Sequence, residues 1–218
     1  ALEAGDSAVM EVGLNVAIAA DPDFGPPYRL LAELKVQRQD RAGARSTVEQ
    51  ALGRGNAISE LERTRLELVA AELNGNLDAR RKALTRLVQL DGSDSKIWRA
   101  LGDSATGRHD YQTAQQAYRK ALELEPDDPL VLNAVGYAAA QAGDLAGAMK
   151  ALRRYEALRP NEANPLDSMG DVNLMVGRLA EAEDFYLQAV KKDPHFVNQG
   201  ADLLKAALAR LLTGDSAG

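Results

Sequence analysis

The sequence predicts an all-α protein of about twelve helices, built as a series of stacked helix pairs. Three observations predict it. Alanine and leucine abound, aromatic residues make up only 5% of the chain and β-branched residues are scarce, a usage that favours helices over strands. Laid against itself at a shift of 34, the chain repeats: residues 107–128 (GRHDYQTAQQAYRKALELEPDD), 141–162 (QAGDLAGAMKALRRYEALRPNE) and 175–196 (MVGRLAEAEDFYLQAVKKDPHF) share one pattern of turn, helix and stop. The stops are Pro126, Pro160 and Pro194, themselves 34 apart. Proline cannot extend a helix and biases the residue before it away from helical angles.

Taken in order, residues 1–24 read as half a unit. Gly5-Asp6-Ser7-Ala8 looks like the interhelix turn Gly143-Asp144-Leu145-Ala146, so a second helix is expected from there to Asp21-Pro22. A complete unit is expected over 25–58, with Tyr28, Leu31 and Ala32 on its first helix and Ala44 and Val48 on its second. Gly53 and Gly55 predict a loose exit, Asn56 takes the proline position, and Ser59-Glu60 is a two-residue insertion. The unit 61–94 keeps the turn Gly75-Asn76 but has Arg80 where alanine recurs and Gly92 in place of proline.

The units 95–128, 129–162 and 163–196 carry the pattern most fully. Trp98, Leu101 and Gly102 recur as Leu132, Val135 and Gly136 and as Leu166, Met169 and Gly170, spacings that put each trio on one helical face. A mid-helix glycine costs about 1 kcal/mol against alanine. It makes sense where a neighbouring helix packs too closely for a Cβ. Ala114, Ala148 and Ala182 are the expected small partners of that contact, with Tyr118, Leu152 and Tyr186 four residues on filling the space beside it. Residues 197–214 form a last helix with an apolar stripe of Leu203, Leu204, Ala207, Leu208, Leu211 and Leu212, followed by Gly214-Asp215-Ser216-Ala217-Gly218, the interhelix turn again. Both ends fall inside a repeat, so the chain is expected to be a piece of a longer protein, its last helix capping the array.

The run Trp98-x2-Leu101-Gly102, Ala114-x3-Tyr118 and Pro126 resembles the tetratricopeptide repeat signature almost position by position, with Ala105 where that family prefers tyrosine. The resemblance covers essentially the whole chain and is strongest over 95–196. It implies a right-handed alpha-alpha superhelix, a solenoid whose concave side is lined by first helices. It also implies a scaffold that binds a peptide or partner protein there, not an enzyme.

In relatives, positions five and nine of each first helix face the concave side. Here they are Arg29 and Glu33, Arg65 and Val69, Arg99 and Asp103, Asn133 and Tyr137, and Asp167 and Asp171. Three arginines, a polar step and two aspartates describe a groove graded from positive to negative, suited to a partner with the opposite gradient and to carboxylates at its arginine end. The plainer reading makes Arg29–Glu33 and Arg99–Asp103 exposed i,i+4 pairs worth roughly a few tenths of a kcal/mol. Of the Lys/Asn set with which some relatives clamp a C-terminal carboxylate, only Asn133 has a counterpart.

Other functions find little support. The net charge of −6 is spread evenly, with 12 basic and 15 acidic side chains in residues 1–94 and 14 and 17 in 95–218, which leaves no basic face for nucleic acid. No apolar run reaches the roughly 18–20 residues of a membrane span. The start lacks the basic region and apolar stretch of a signal peptide, but it also lacks an initiating Met, so an upstream address can have been cut away; the compartment is left open, with the cytoplasm slightly favoured over the periplasm. With no cysteine there is no disulfide, thiolate nucleophile or thiolate-bound metal. His109 and His195 stand 86 residues apart without a ligand-spaced partner, and neither a Gly-x-Ser-x-Gly elbow nor a phosphate loop occurs, so no metal, cofactor or catalytic site is expected. Arg80-Arg81-Lys82 and Arg153-Arg154 read as solvated faces of second helices. Tyr111, Tyr118, Tyr155 and Tyr186 read as core, and Glu181, Glu183 and Asp184 as complements of a helix N-terminus. The Ala- and Arg-rich composition suggests a bacterial source. Beside the scaffold stand two further readings. One is a ligand- or carbohydrate-sensing module of an envelope complex, attached to an enzyme or export machinery. The other is a spacer that self-associates through 197–212, although a monomer is favoured.

Overall fold

A computed structural model describes residues 2–193 and 199–213, with side chains over 6–193 and 203–213. The described residues form twelve α-helices and no strand. Contacts divide the chain into two units, Ala1–Ile97 and Trp98–Gly218.

The first unit holds α1 (Leu2–Ala20), α2 (Gly25–Gln37), α3 (Arg41–Leu52), α4 (Glu60–Leu73), α5 (Leu77–Leu90) and the opening of α6 (Ser95–Thr106). Successive helices pack side by side, and the first helices α2 and α4 also touch each other. Their shared core joins Tyr28, Ala32, Ala44, Val48, Leu66 and Leu73. The exit at 53–60 is firmer than its glycines predict. A short 3-10 turn, Gly55–Ala57, delivers Ile58 into that core, where it is 2% exposed. Ser59 then caps α4 by accepting from the Glu62 amide.

One expectation fails at the start of the chain. Gly5-Asp6-Ser7-Ala8 is no turn, because α1 runs through it. The comparison turn reverses at Gly143, whose φ is +82°, and Gly5 has no such left-handed backbone. The helix formers Leu2, Glu3 and Ala4 carry the helix across it instead.

The second unit holds the rest of α6, then α7 (Tyr111–Leu124), α8 (Pro129–Gln141), α9 (Leu145–Leu158), α10 (Asn164–Met175), α11 (Leu179–Lys192) and α12 (Gln199–Leu212). Its core rests on repeated glycine–large contacts. A Cβ on Gly102 would lie 2.4 Å from Tyr118 Cε1, one on Gly136 2.7 Å from Leu152 Cγ, and one on Gly170 2.4 Å from Tyr186 Cε1. The side chain pressed against each glycine is therefore the large residue, while Ala114, Ala148 and Ala182 are fully buried. Tyr118 and Tyr186 are 2% and 0% exposed, burial worth roughly 1.5–3 kcal/mol for each large apolar side chain.

Each interhelix turn repeats two devices. The residue before the helix cap is left-handed: Gln39, Gly75, His109, Gly143 and Gly177 have φ of 64°, 63°, 59°, 82° and 78°. The cap then accepts from the amide three residues on, as Asp40 does from Gly43, Asn76 from Ala79, Asp110 from Thr113 and Asp144 from Gly147. At α11 the cap position is Arg178, which supplies no side-chain bond. Pro194, His195 and the turn at 214–218 lie outside the described residues. Among the described residues no helix is long and apolar enough to cross a membrane.

Candidate functional site

In the first unit, α2 and α4 bring Arg29, Glu33, Arg65 and Val69 to one cleft of about 690 Å³. Val36, Leu68, Val69 and Ile97 supply apolar surface, and Arg41, Glu72, Asp94 and Lys96 add charge. The two arginines are held in register by a residue the sequence reading missed. Glu62, 7% exposed, accepts from Arg29 Nε at 3.2 Å and from Arg65 Nη1 at 2.8 Å. Arg29 also meets Glu33 at 3.0 Å, and Arg65 reaches Asp91 at 3.4 Å. Burial opposes the Arg29 charge, but Glu33 and Glu62 more than offset it and raise its proton affinity. Glu62 could have been found from its place three residues before Arg65 on the same helix, a spacing that puts the two side chains together. Arg41 and Arg45 both donate to the Leu73 carbonyl, at 2.9 and 3.0 Å, closing the C-terminal end of α4.

In the second unit the first-helix positions are mostly engaged with one another. Asp103 accepts from the Tyr118 hydroxyl at 2.8 Å, and among the described residues it makes no ion pair with Arg99. Two repeats on, Asp171 accepts from Tyr186 at 2.9 Å, the same bond in the same place. Between them the repeat has Tyr137 and Leu152 in those positions, and Tyr137 instead donates to Asp171 at 2.7 Å. Asp167 is 4% exposed. It and Asp171 share Lys205 of α12, at 2.7 and 2.8 Å. Lys205 holds position nine of the next first helix, so the column 103, 137, 171, 205 continues in register.

The acidic end of the expected charge gradient is thus neutralised from within. Burial, first, and the neighbouring aspartates raise the pKa of the Tyr137 and Tyr186 phenols; Tyr118 is raised mainly by burial. Arg99 is half-buried on α6, and its charge acts on the Tyr118 phenol. Asn133 Oδ1 is shielded from solvent and has no hydrogen-bond partner among the described residues.

The remaining sequence candidates divide simply. Trp98 packs beside Ala105, Tyr118 and Val131. His109 meets the Tyr111 hydroxyl at 2.7 Å and nothing metal-like; among the described residues no cluster of three His, Cys, Asp or Glu has the geometry to hold an ion. Arg80 is bonded to Glu72 at 3.2 Å and not simply solvated. On α12 the leucine stripe faces outward, with Leu204 72% exposed, while Ala206 and Ala209 are buried.

Known proteins with this geometry are helical-repeat proteins. The tetratricopeptide repeat family model matches residues 99–163. No curated protein sequence matches the chain. Among solved structures, the type IV pilus biogenesis factor PilW superposes with a TM-score of 0.72 at 17% identity, covering 88% of this chain and 87% of its own. YrrB, described as a tetratricopeptide repeat protein with an unusual peptide-binding site, gives 0.71 at 15% identity over 91% and 97%. A chain of the APC/C hetero-tetramer Cut9-Hcn1 gives 0.68 at 20% identity; 94% of this chain is covered, but it spans only 40% of that one. The family match is confined to residues 99–163, the glycine–tyrosine packing recurs beyond it at Gly170 and Tyr186, and over most of the chain the fold is similar to that of solved tetratricopeptide repeat structures.

Proposed function

We propose that the chain is a non-catalytic scaffold that holds a segment of another protein against its first-helix faces, with the cleft of the first unit as a principal seat. The observation that supports this is the cleft itself. It combines apolar surface from Val36, Leu68, Val69 and Ile97 with arginines pre-positioned by Glu62, and its size is that of preformed recognition sites. Side chains already held in place lose less entropy on binding. The peptide-binding site described for YrrB, on a similar fold, is in keeping with the reading.

A peptide selected by display on the intact chain, with affinity followed by fluorescence polarisation, tests it. Val36→Glu with Lys96→Glu leaves the Arg29–Glu62–Arg65 bridge untouched, and both positions are exposed. The double variant is expected to weaken binding about tenfold, or about 1.4 kcal/mol, with little change in thermal midpoint. Unchanged affinity would remove the cleft from the assignment.

A further inference from the structure

The second unit carries an ammonium seat that is already filled. Lys205 Nζ lies 2.7 Å from Asp167 Oδ1, 2.8 Å from Asp171 Oδ1 and 5.2 Å from the centre of the Tyr186 ring. Two carboxylates and an aromatic face are what a desolvated ammonium group needs. The seat is built and not incidental: the Asp167 side chain is 6% exposed, and Asp171 is aimed by the hydroxyls of Tyr137 on Oδ2 and Tyr186 on Oδ1.

The occupant is supplied by the chain's own last described helix. α12 buries Ala206 and Ala209 against Ala182 and Tyr186, while Leu203, Leu204, Leu208, Leu211 and Leu212 all stay exposed. The Lys205 and Arg210–Glu183 ion pairs add to that packing along α11. Another acceptor on the same first-helix positions has no donor among the described residues. Asn133 Oδ1 stands one repeat before Asp167, out of solvent and unpartnered among the described residues. A buried acceptor without a donor is unfavourable, and a ligand that donates there removes the deficit.

We propose that this face recognises a lysine-bearing segment of a partner protein, whose ammonium takes the place of Lys205 between Asp167 and Asp171 while Asn133 accepts an N–H from the same segment. The proposal rests on the scaffold reading for the existence of a partner, but it names a different surface and a chemistry opposite to carboxylate capture. Lys205 then acts as a tethered competitor. Such a competitor acts at an effective concentration on the order of millimolar, so a free competing probe must be supplied at roughly tens of millimolar.

The probe is Nα-acetyl-lysine methylamide, with the norleucine analogue as the control that lacks the charge. Binding is followed by NMR shifts of the Asn133 side-chain amide and the Tyr186 ring. Lys205→Met vacates the seat and keeps the alkyl stem. It is expected to bind the lysine probe about tenfold more tightly than the wild type, the gain when a site occupied roughly 90% of the time is freed. Adding Asp167→Asn should remove the gain, and the norleucine probe should move neither resonance. Equal binding by the wild type and Lys205→Met, or equal binding of the two probes, overturns the proposal. If Lys205→Met does not fold, the wild-type titration decides: a shift of Asn133 with lysine but not norleucine supports the seat, and no shift rejects it. A selected peptide that loses affinity on Val36→Glu with Lys96→Glu, while the lysine probe binds the wild type and Lys205→Met alike, would leave the scaffold reading standing and sink this one.

Discussion

At the scale of single residues, the most telling contacts are those where nothing fits but hydrogen. Gly102 and Gly170 lie within 2.4 Å, measured from an added Cβ, of the Tyr118 and Tyr186 rings. Gly102→Ala and Gly170→Ala are each expected to cost about 1–3 kcal/mol, the usual range for overpacking a filled core. Gly13, on α1, is the contrast, with nothing within 4 Å of an added Cβ. There alanine is expected to stabilise by about 0.5–1 kcal/mol, because the helix gains propensity and loses no contact. Urea denaturation of the three variants measures both signs; destabilisation at all three would mean that packing does not explain the glycines. The large partners of these glycines also use their hydroxyls, Tyr118 on Asp103 and Tyr186 on Asp171. One side chain thus fills the core and pins an acid on the first helix.

At the scale of the element, the interhelix turn is a repeated device with two visible defects. Its left-handed residue is glycine at 75, 143 and 177 but Gln39 and His109 at the other two turns. A side chain in that conformation costs roughly 1–2 kcal/mol. Gln39→Gly is therefore expected to raise stability by about 1 kcal/mol, less whatever glycine adds to the entropy of the unfolded chain. The cap is Asp or Asn in four turns, and Arg178 in the fifth has the same extended-side backbone without a side-chain bond. Arg178→Asp is expected to add about 1 kcal/mol by capping α11 and complementing its N-terminal dipole. The exposed Arg178–Glu181 pair lost in exchange, 3.7 Å apart, is worth little. Thermal midpoints of the two variants read the outcome, and a fall in both would show the turns to be governed by something other than their backbone and caps.

At the scale of the molecule, the two units differ in what they bury. The first unit balances arginines against Glu62, whereas the second encloses phenols and an ammonium. Tyr118, Tyr137 and Tyr186 have raised pKa values, with burial the largest cause. Lys205 is also raised, because Asp167 and Asp171 outweigh the opposing effect of burial. A group raised in the folded state contributes fully below its unfolded pKa, roughly 10 for both residue types, and loses that contribution as pH climbs through the folded value. The second unit is therefore expected to weaken above about pH 10 while remaining unaffected by these groups near neutrality. Trp98, the one tryptophan in the chain, belongs to that unit and reports on it. Urea midpoints from Trp98 fluorescence at about pH 8 and about pH 11 check this; equal midpoints would contradict the coupling.

The sequence by itself determined the fold class, because period, proline stops and glycine–large pairs are local patterns that survive without coordinates. Gly102 with Tyr118 and Gly170 with Tyr186 were legible for that reason, as were the first-helix residues Arg29, Arg65, Asp103 and Asp171. What those residues touch was not legible. Glu62 reaching Arg29 and Lys205 neutralising Asp167 are contacts across 33 and 38 residues of chain, and Ile58 enters a core that includes Tyr28 of another helix. Such contacts depend on the angle at which one helix lies on the next, and no spacing along a single helix encodes that angle. Only the tertiary structure decided that the acids on the second unit's first helices already hold a cation, because the helix that supplies it has to be seated before its lysine can reach them.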